Sequence, residues 1–299
     1  MSGKRRSENR PGFTLIELLV VISVVVLLMA LLLPALSRAR RQARAVVCQS
    51  NLRQWAMTLA TYTEAYEGRF PSGSTESSAV WLFRGTLVGD NDPDADHGAL
   101  HGFQTRGMAL CPMATRPADP NYGHFNITVI TASMSWRMTG LIGTPSGAWQ
   151  MLTPEPPFVG SYGYNQALFQ SFRTDRIRGR ASDRTPDLDI FSLRDHASIP
   201  VLLDATGPMP ELSETDMRGP STLNRGNAAG RGLNAFLMDR HGRRATNGMF
   251  LDFSVRRVGL KELWTLKWGS DFDRAGPWTR VGGVQPEDWP KWMRQCKDY

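Results

Sequence analysis

From Phe13 to Leu36 every position is apolar except Thr14, Glu17, Ser23 and Pro34, a run of 24 residues. A helix needs roughly 20 such residues to cross the hydrocarbon core of a bilayer. The pattern therefore predicts a transmembrane helix over 13–36. Pro34 has no amide hydrogen to donate and is expected to kink or locally melt the helix. Beyond it the apolar positions narrow to a stripe of Cys48, Leu52, Trp55, Leu59, Tyr62 and Tyr66, spaced at helical period. Arg53, Gln54 and Glu64 fall on other faces, and Gly68 and Pro71 stop the pattern. The two halves predict one rod over 13–67 of roughly 80 Å. Its first half lies in lipid, and its second half turns the stripe toward a globular head.

After residue 71 the pattern changes. Residues 71–110 are rich in Ser, Gly and Asp and read as a loop with short elements. Turn signals recur over 120–232, including Asn121-Tyr122-Gly123 and Gly160-Ser161-Tyr162-Gly163-Tyr164-Asn165. Pro200–Ala205 reads as a short buried strand. Leu233–Met238 and Gly248–Val255 read as paired strands, with Gly242–Asn247 as the hairpin loop. Lys261–Trp268 suits a final short helix or strand. Trp278, Trp289 and Trp292 mark a C-terminal flap. The expected fold class is α+β, with the long N-terminal helix packed on a mostly antiparallel β head. The expected segments are a leader (1–12), a transmembrane helix (13–36), an amphipathic continuation (37–70), the head (71–268) and the flap (269–299).

Charge adds orientation to this picture. The net charge is +7. Lys4, Arg5, Arg6 and Arg10 precede the apolar run against only Glu8, and Arg38, Arg40, Arg41 and Arg44 follow it. Positive charge at the ends of a membrane helix meets lipid headgroups and biases the leader side toward the cytoplasm. The basic balance is accounted for there, so it does not argue for nucleic acid as a partner. A secretory signal fits less well. Its apolar core is about 7–15 residues with cleavage after it, whereas here Gly12 precedes the core.

Glu17 is the unusual residue. A carboxylate inside a bilayer segment is costly unless paired, which marks it as functional. Gly12-Phe13-Thr14-Leu15-Ile16-Glu17 resembles the prepilin motif of type IV pilins and type II secretion pseudopilins. The resemblance implies cleavage after Gly12 by a membrane prepilin peptidase and N-methylation of Phe13. It implies an assembly role for Glu17, opposite the new amino terminus of a neighbouring subunit, and a helix kink at Pro34. Its implied partners are other pilin-like subunits, an inner-membrane assembly platform and the lipid bilayer. Its implied location is the inner membrane, single-pass, with the head periplasmic. Cys48–Gln54, Gly68–Pro71, Leu110–Pro112 and Ser161–Asn165 also resemble large pilin-like proteins of planctomycete-type bacteria. These end in a histidine nine residues before an Asp-Gly pair. Here ten residues separate His241 from Asp252, and Phe253 stands where that signature has glycine.

The three cysteines are Cys48, Cys111 and Cys296. An exported chain commonly pairs two of them. Cys48 faces the head from its stripe, and Cys111 ends a short apolar stretch before Pro112, so a Cys48–Cys111 bridge is expected; three reduced thiols is the alternative. No metal or cofactor is expected. Asp90–His97 resembles half of a calcium loop, but position six lacks glycine and position twelve is His101. Loosely held calcium is the most this loop allows, and His97 and His101 lack a third ligand for zinc. No phosphate loop, zinc-protease or hydrolase motif is present. His241 and Asp252 are expected to hydrogen-bond structurally around the hairpin, and no enzyme is expected. The leading function is a structural subunit of a pseudopilus or pilus. The alternative is a membrane-anchored minor pilin-type protein for adhesion, ligand or DNA binding, with Arg173–Arg184 as the phosphate-facing stretch in the DNA case.

Overall fold

The computed structural model describes residues 14–65, 67–68, 108–114, 116, 124–130, 135–152, 158–165, 168, 190, 193–208, 220, 232–237, 239–242, 244–269 and 272–299. Gly12, Phe13, Tyr66, Asp90–His97, His101 and Arg173–Arg184 lie outside this set. The chain divides into two units, Met1–Ala43 and Arg44–Tyr299.

Helix α1 runs from Leu15 to Ala65 and continues through Pro34 without a break, so local melting does not occur. Its part in the first unit is the apolar run. There the large apolar side chains from Leu15 to Leu36 are 41–80% exposed. Its part in the second unit buries Cys48, Asn51, Leu52, Trp55, Ala56, Thr58, Leu59 and Thr63, which is the predicted stripe widened by small polar residues. Tyr62 packs at the margin of the same core.

The second unit holds two antiparallel sheets of four strands, each a simple meander in chain order. The first comprises β1 (His124–Ile130), β2 (Ser135–Leu141), β3 (Trp149–Met151) and β4 (Phe158–Gly160). The second comprises β5 (Tyr162–Tyr164), β6 (Pro200–Asp204), β7 (Ala245–Phe250) and β8 (Val255–Gly259). A long helix with two antiparallel sheets is the expected α+β arrangement. One residue, Ser161, separates the last strand of the first sheet from the first strand of the second. Its amide donates to the Ala109 carbonyl at 3.0 Å, and its carbonyl accepts from the Ala205 amide at 3.0 Å. The chain thus passes between sheets without leaving a buried backbone group unmet.

The predicted C-terminal hairpin is displaced. Leu233 lies in a 3-10 turn, Gly232–Phe236, and the hairpin is β7 with β8. Gly242–Asn247 is not its loop, because Ala245–Asn247 already belong to β7. The turn is Leu251–Ser254, closed by the Phe253 amide to the Phe250 carbonyl at 2.9 Å. Phe253 has φ +61°, the left-handed region that favours glycine. This is the position at which the resembled signature carries glycine. Phe253 retains its ring contact with the first core.

Two cores result. One gathers the α1 stripe, Cys111, Trp149, Tyr162, Tyr164 and the inner faces of β6 and β7. The other gathers Phe236, Phe250, Leu260, Leu263, Trp264 and Trp268 with Trp289, Met293 and Cys296. Residues 272–299 contain no strand or helix, yet they insert Trp289 edge-on to Trp264, with centroids 5.5 Å apart. Buried Lys261 sits 4.7 Å over the Trp289 ring and pairs with Asp298 at 2.5 Å. These contacts fasten the C-terminal segment.

Candidate functional site

The N-terminal site begins at Thr14. Its side chain and amide both donate to Glu17 Oε2, at 2.7 and 2.8 Å, and its hydroxyl accepts from the Glu17 amide at 3.3 Å. This is a capping box, in which a Thr before the helix and a Glu three residues later satisfy otherwise orphaned donors reciprocally. Glu17 therefore starts α1 as well as being the buried-charge candidate. Only Oε2 is engaged in the box. Beyond it, α1 is long and apolar enough to cross a membrane, with none of its most apolar window buried.

The second site lies in the second unit and joins residues far apart in the chain. Cys48 comes from α1, Cys111 from the 108–114 turn, Asp204 from the end of β6, and Arg240 and His241 from the loop entering β7. Cys48 and Asp204 are fully buried, and Cys111 is 1% exposed. The sulfurs, the His241 nitrogen and the Asp204 oxygen all lie within 4.8 Å of one another.

Asp204 is the hub. Its Oδ1 accepts from Arg240 Nη1 at 2.7 Å. Its Oδ2 meets His241 Nε2 at 3.0 Å, the Asn247 amide at 3.2 Å and the Thr246 hydroxyl at 3.5 Å. Arg240 spends its other donors on the carbonyls of Ser161, Thr144 and Pro145. His241 Nε2 is also 3.5 Å from Cys111 Sγ. The Tyr162 hydroxyl donates to Cys48 Sγ at 3.2 Å, and the Met113 amide donates to Cys111 Sγ at 3.5 Å.

The electrostatics follow from this packing. Burial opposes ionisation of Asp204, but the charges of Arg240 and His241 prevail and hold its carboxyl below the ordinary range. Burial likewise opposes charge on His241, yet the hydrogen bond and charge of Asp204, then Cys111, raise it to about 9. Burial pushes the Cys48 thiol well up, and its hydrogen bond to Cys111 and the Asp204 charge push the same way. For Cys111 burial is outweighed by hydrogen bonds from Cys48 and His241 and by the Arg240 charge, so its thiol is lowered. The Asp204 carboxylate thus faces two basic groups, Arg240 and His241, with the thiols of Cys48 and Cys111 beside them. Such a buried set is tolerable because it is both paired and hydrogen-bonded.

The fold brings together Cys48 and Cys111 as expected, but as free thiols. It separates His241 from Asp252. His241 turns inward to Asp204, while exposed Asp252 accepts from the Ser254 amide at 3.0 Å within the β7–β8 turn. The reason is the hairpin shift, which puts Asp252 in a turn of its own and His241 before β7. Asp204 and Arg240 were missed by sequence reasoning. A carboxylate ending an otherwise apolar strand, Pro200–Leu203, was the available signal. Cys296 lies in the other core.

Residues 9–33 match the family model described as a prokaryotic N-terminal methylation motif. No curated protein and no solved structure matches the chain. The motif, on a helix of membrane-spanning length, supports a protein of pilin or pseudopilin type, anchored in a membrane of the cell envelope. The long helix with two antiparallel sheets is consistent with a type IV pilin-like fold.

Proposed function

We propose that this chain is a structural subunit of a cell-envelope filament, a type II secretion pseudopilus or a type IV pilus. A prepilin peptidase cuts after Gly12, and the exposed Phe13 is methylated. The chain first rests in the inner membrane with its leader cytoplasmic and its head periplasmic. An assembly platform then draws it into the filament. In this reading the chain is a substrate of the peptidase and not itself an enzyme.

One observation carries the reading. A methylation-type motif opens a helix whose apolar side chains are uncovered within their own unit from Leu15 to Leu36. Lipid covers them before assembly, and neighbouring apolar helices cover them afterwards. Glu17 gives the packing its register. Its Oε2 serves the Thr14 cap, and the same carboxylate meets the amino terminus of the adjacent subunit, a cation at matching depth. A pair satisfied only at one offset between subunits enforces that offset.

The test is Glu17→Ala in cells that assemble filaments. Membrane insertion of the variant should equal wild type, and its recovery in sheared filaments should fall severalfold. Wild-type recovery in filaments would remove Glu17 from the mechanism.

A further inference from the structure

We propose that Cys48, Cys111, Asp204 and His241 bind one divalent transition metal of the zinc type, forming a closed structural centre inside the globular unit. Nothing in the filament reading requires it, and it stands on separate observations.

The first observation is the donor set and its spacing. Zinc bonds of about 2.3 Å to sulfur and 2.0–2.2 Å to nitrogen or oxygen, at tetrahedral angles, give ligand–ligand edges of about 3.3–3.8 Å. Here His241 Nε2 lies 3.0 Å from Asp204 Oδ2 and 3.5 Å from Cys111 Sγ. Cys48 Sγ lies 4.0 Å from both Asp204 oxygens, and no pair among the four atoms exceeds 4.8 Å. The four donors already surround one point, and small side-chain adjustments bring them to bonding distance. Two sulfurs and an imidazole select a borderline-soft ion over calcium or magnesium. Four protein ligands leave no open position, which defines a structural centre.

The second observation is the shell around the donors. Ligating thiolates and carboxylates need outer hydrogen bonds to fix and stabilise them. The Cys111-Pro112-Met113 turn aims the Met113 amide at Cys111 Sγ, and the Ala114 amide closes it onto the Cys111 carbonyl at 2.8 Å. The Tyr162 hydroxyl serves Cys48 Sγ. Arg240 and the Asn247 amide serve Asp204.

The third is charge. Metal binding displaces the protons of both thiols and of the His241 imidazolium; the two thiolates and the carboxylate then carry three negative charges, and Arg240 returns one positive charge. The remaining two are the charge of one divalent ion. The buried site is then neutral, with His241 as a neutral ligand.

The competing fate of the cysteines is a Cys48–Cys111 disulfide, and one experiment separates the two. Full-length chain is purified in detergent under reductant, stripped by chelator, and titrated with Co²⁺. The expected result is one cobalt per chain, with a sulfur-to-cobalt charge-transfer band and tetrahedral ligand-field bands that Zn²⁺ abolishes. Loss of outer-shell partners alone weakens such sites about 10–100-fold. Cys111→Ser and His241→Ala should therefore weaken binding by at least about tenfold, while Cys296→Ser leaves it unchanged. Wild-type protein, folded and reduced, that shows no charge-transfer band overturns the proposal without reference to any variant. So does native protein found metal-free with Cys48 and Cys111 joined in non-reducing peptide maps.

Discussion

Asp204 shows how one residue sets the chemistry of a core. A lone buried carboxylate is strongly disfavoured, yet here a guanidinium, an imidazole and a backbone amide all converge on it. None of this follows from local sequence. Cys48, Cys111, Asp204 and His241 show no ligand spacing, because the strands and not the chain bring them together. The two cysteines and His241 could be singled out by type, whereas Asp204 and Arg240 read as ordinary charges near turns. Packing at single positions is equally specific. Trp149 is fully buried opposite Gly160 and donates its indole N–H to the Tyr162 carbonyl at 3.1 Å. A Cβ at Gly160 would lie 2.3 Å from the Trp149 ring. Gly160→Ala should therefore destabilise the full chain by about 1–3 kcal/mol, read by denaturant unfolding in detergent. An unchanged midpoint would show that Trp149 has room to move.

At the scale of elements, α1 was the most legible and the C-terminal hairpin the least. The α1 stripe was visible because helical periodicity survives burial on one face. Trp55 lies at its centre, fully buried, with its indole N–H on the Met108 carbonyl at 3.0 Å, while Met57 one turn-face away is 70% exposed. Trp55→Ala should cost about 3–5 kcal/mol and Met57→Ala less than about 0.5 kcal/mol, compared by denaturant midpoints of the full chain. Similar losses at both positions would contradict the assigned face. The start of α1 was only half read. Glu17 stood out as a misplaced charge, but its place in a Thr-x-x-Glu cap was visible in the same four residues. The hairpin was misplaced because β7 looks polar. Ala245, Thr246 and Asn247 fall in the expected loop, yet every residue of β7 is buried. The Thr246 hydroxyl and the Asn247 amide are directed at Asp204, and the Asn247 side chain accepts from Gln49 at 3.2 Å. Their burial is explained by a site whose existence the local pattern could not announce. Leu233–Phe236, apolar enough for a strand, instead fills the second core as a 3-10 turn.

At the scale of the whole molecule, two chemistries divide the chain. The described part of the first unit is a helix whose large apolar side chains from Leu15 to Leu36 are exposed. The described residues of the second form two cores, two meanders and a buried polar cluster. The helix of the first was plain in the sequence, because an apolar run of membrane-spanning length is read from composition and length alone. The α+β class of the second was legible from its turn signals and short apolar runs. Its sheet order was not, since strands of three residues such as β3, β4 and β5 carry almost no periodic signal. The central claim is that the first unit is a processed, filament-forming anchor, and intact mass tests it most directly. The chain is extracted from membranes of cells with an active prepilin peptidase, verified on a control prepilin. A mass corresponding to a chain that begins at methylated Phe13 is the predicted result. A chain that still begins at Met1, in cells where the control is processed, would contradict the account and leave residues 13–36 as a plain membrane anchor.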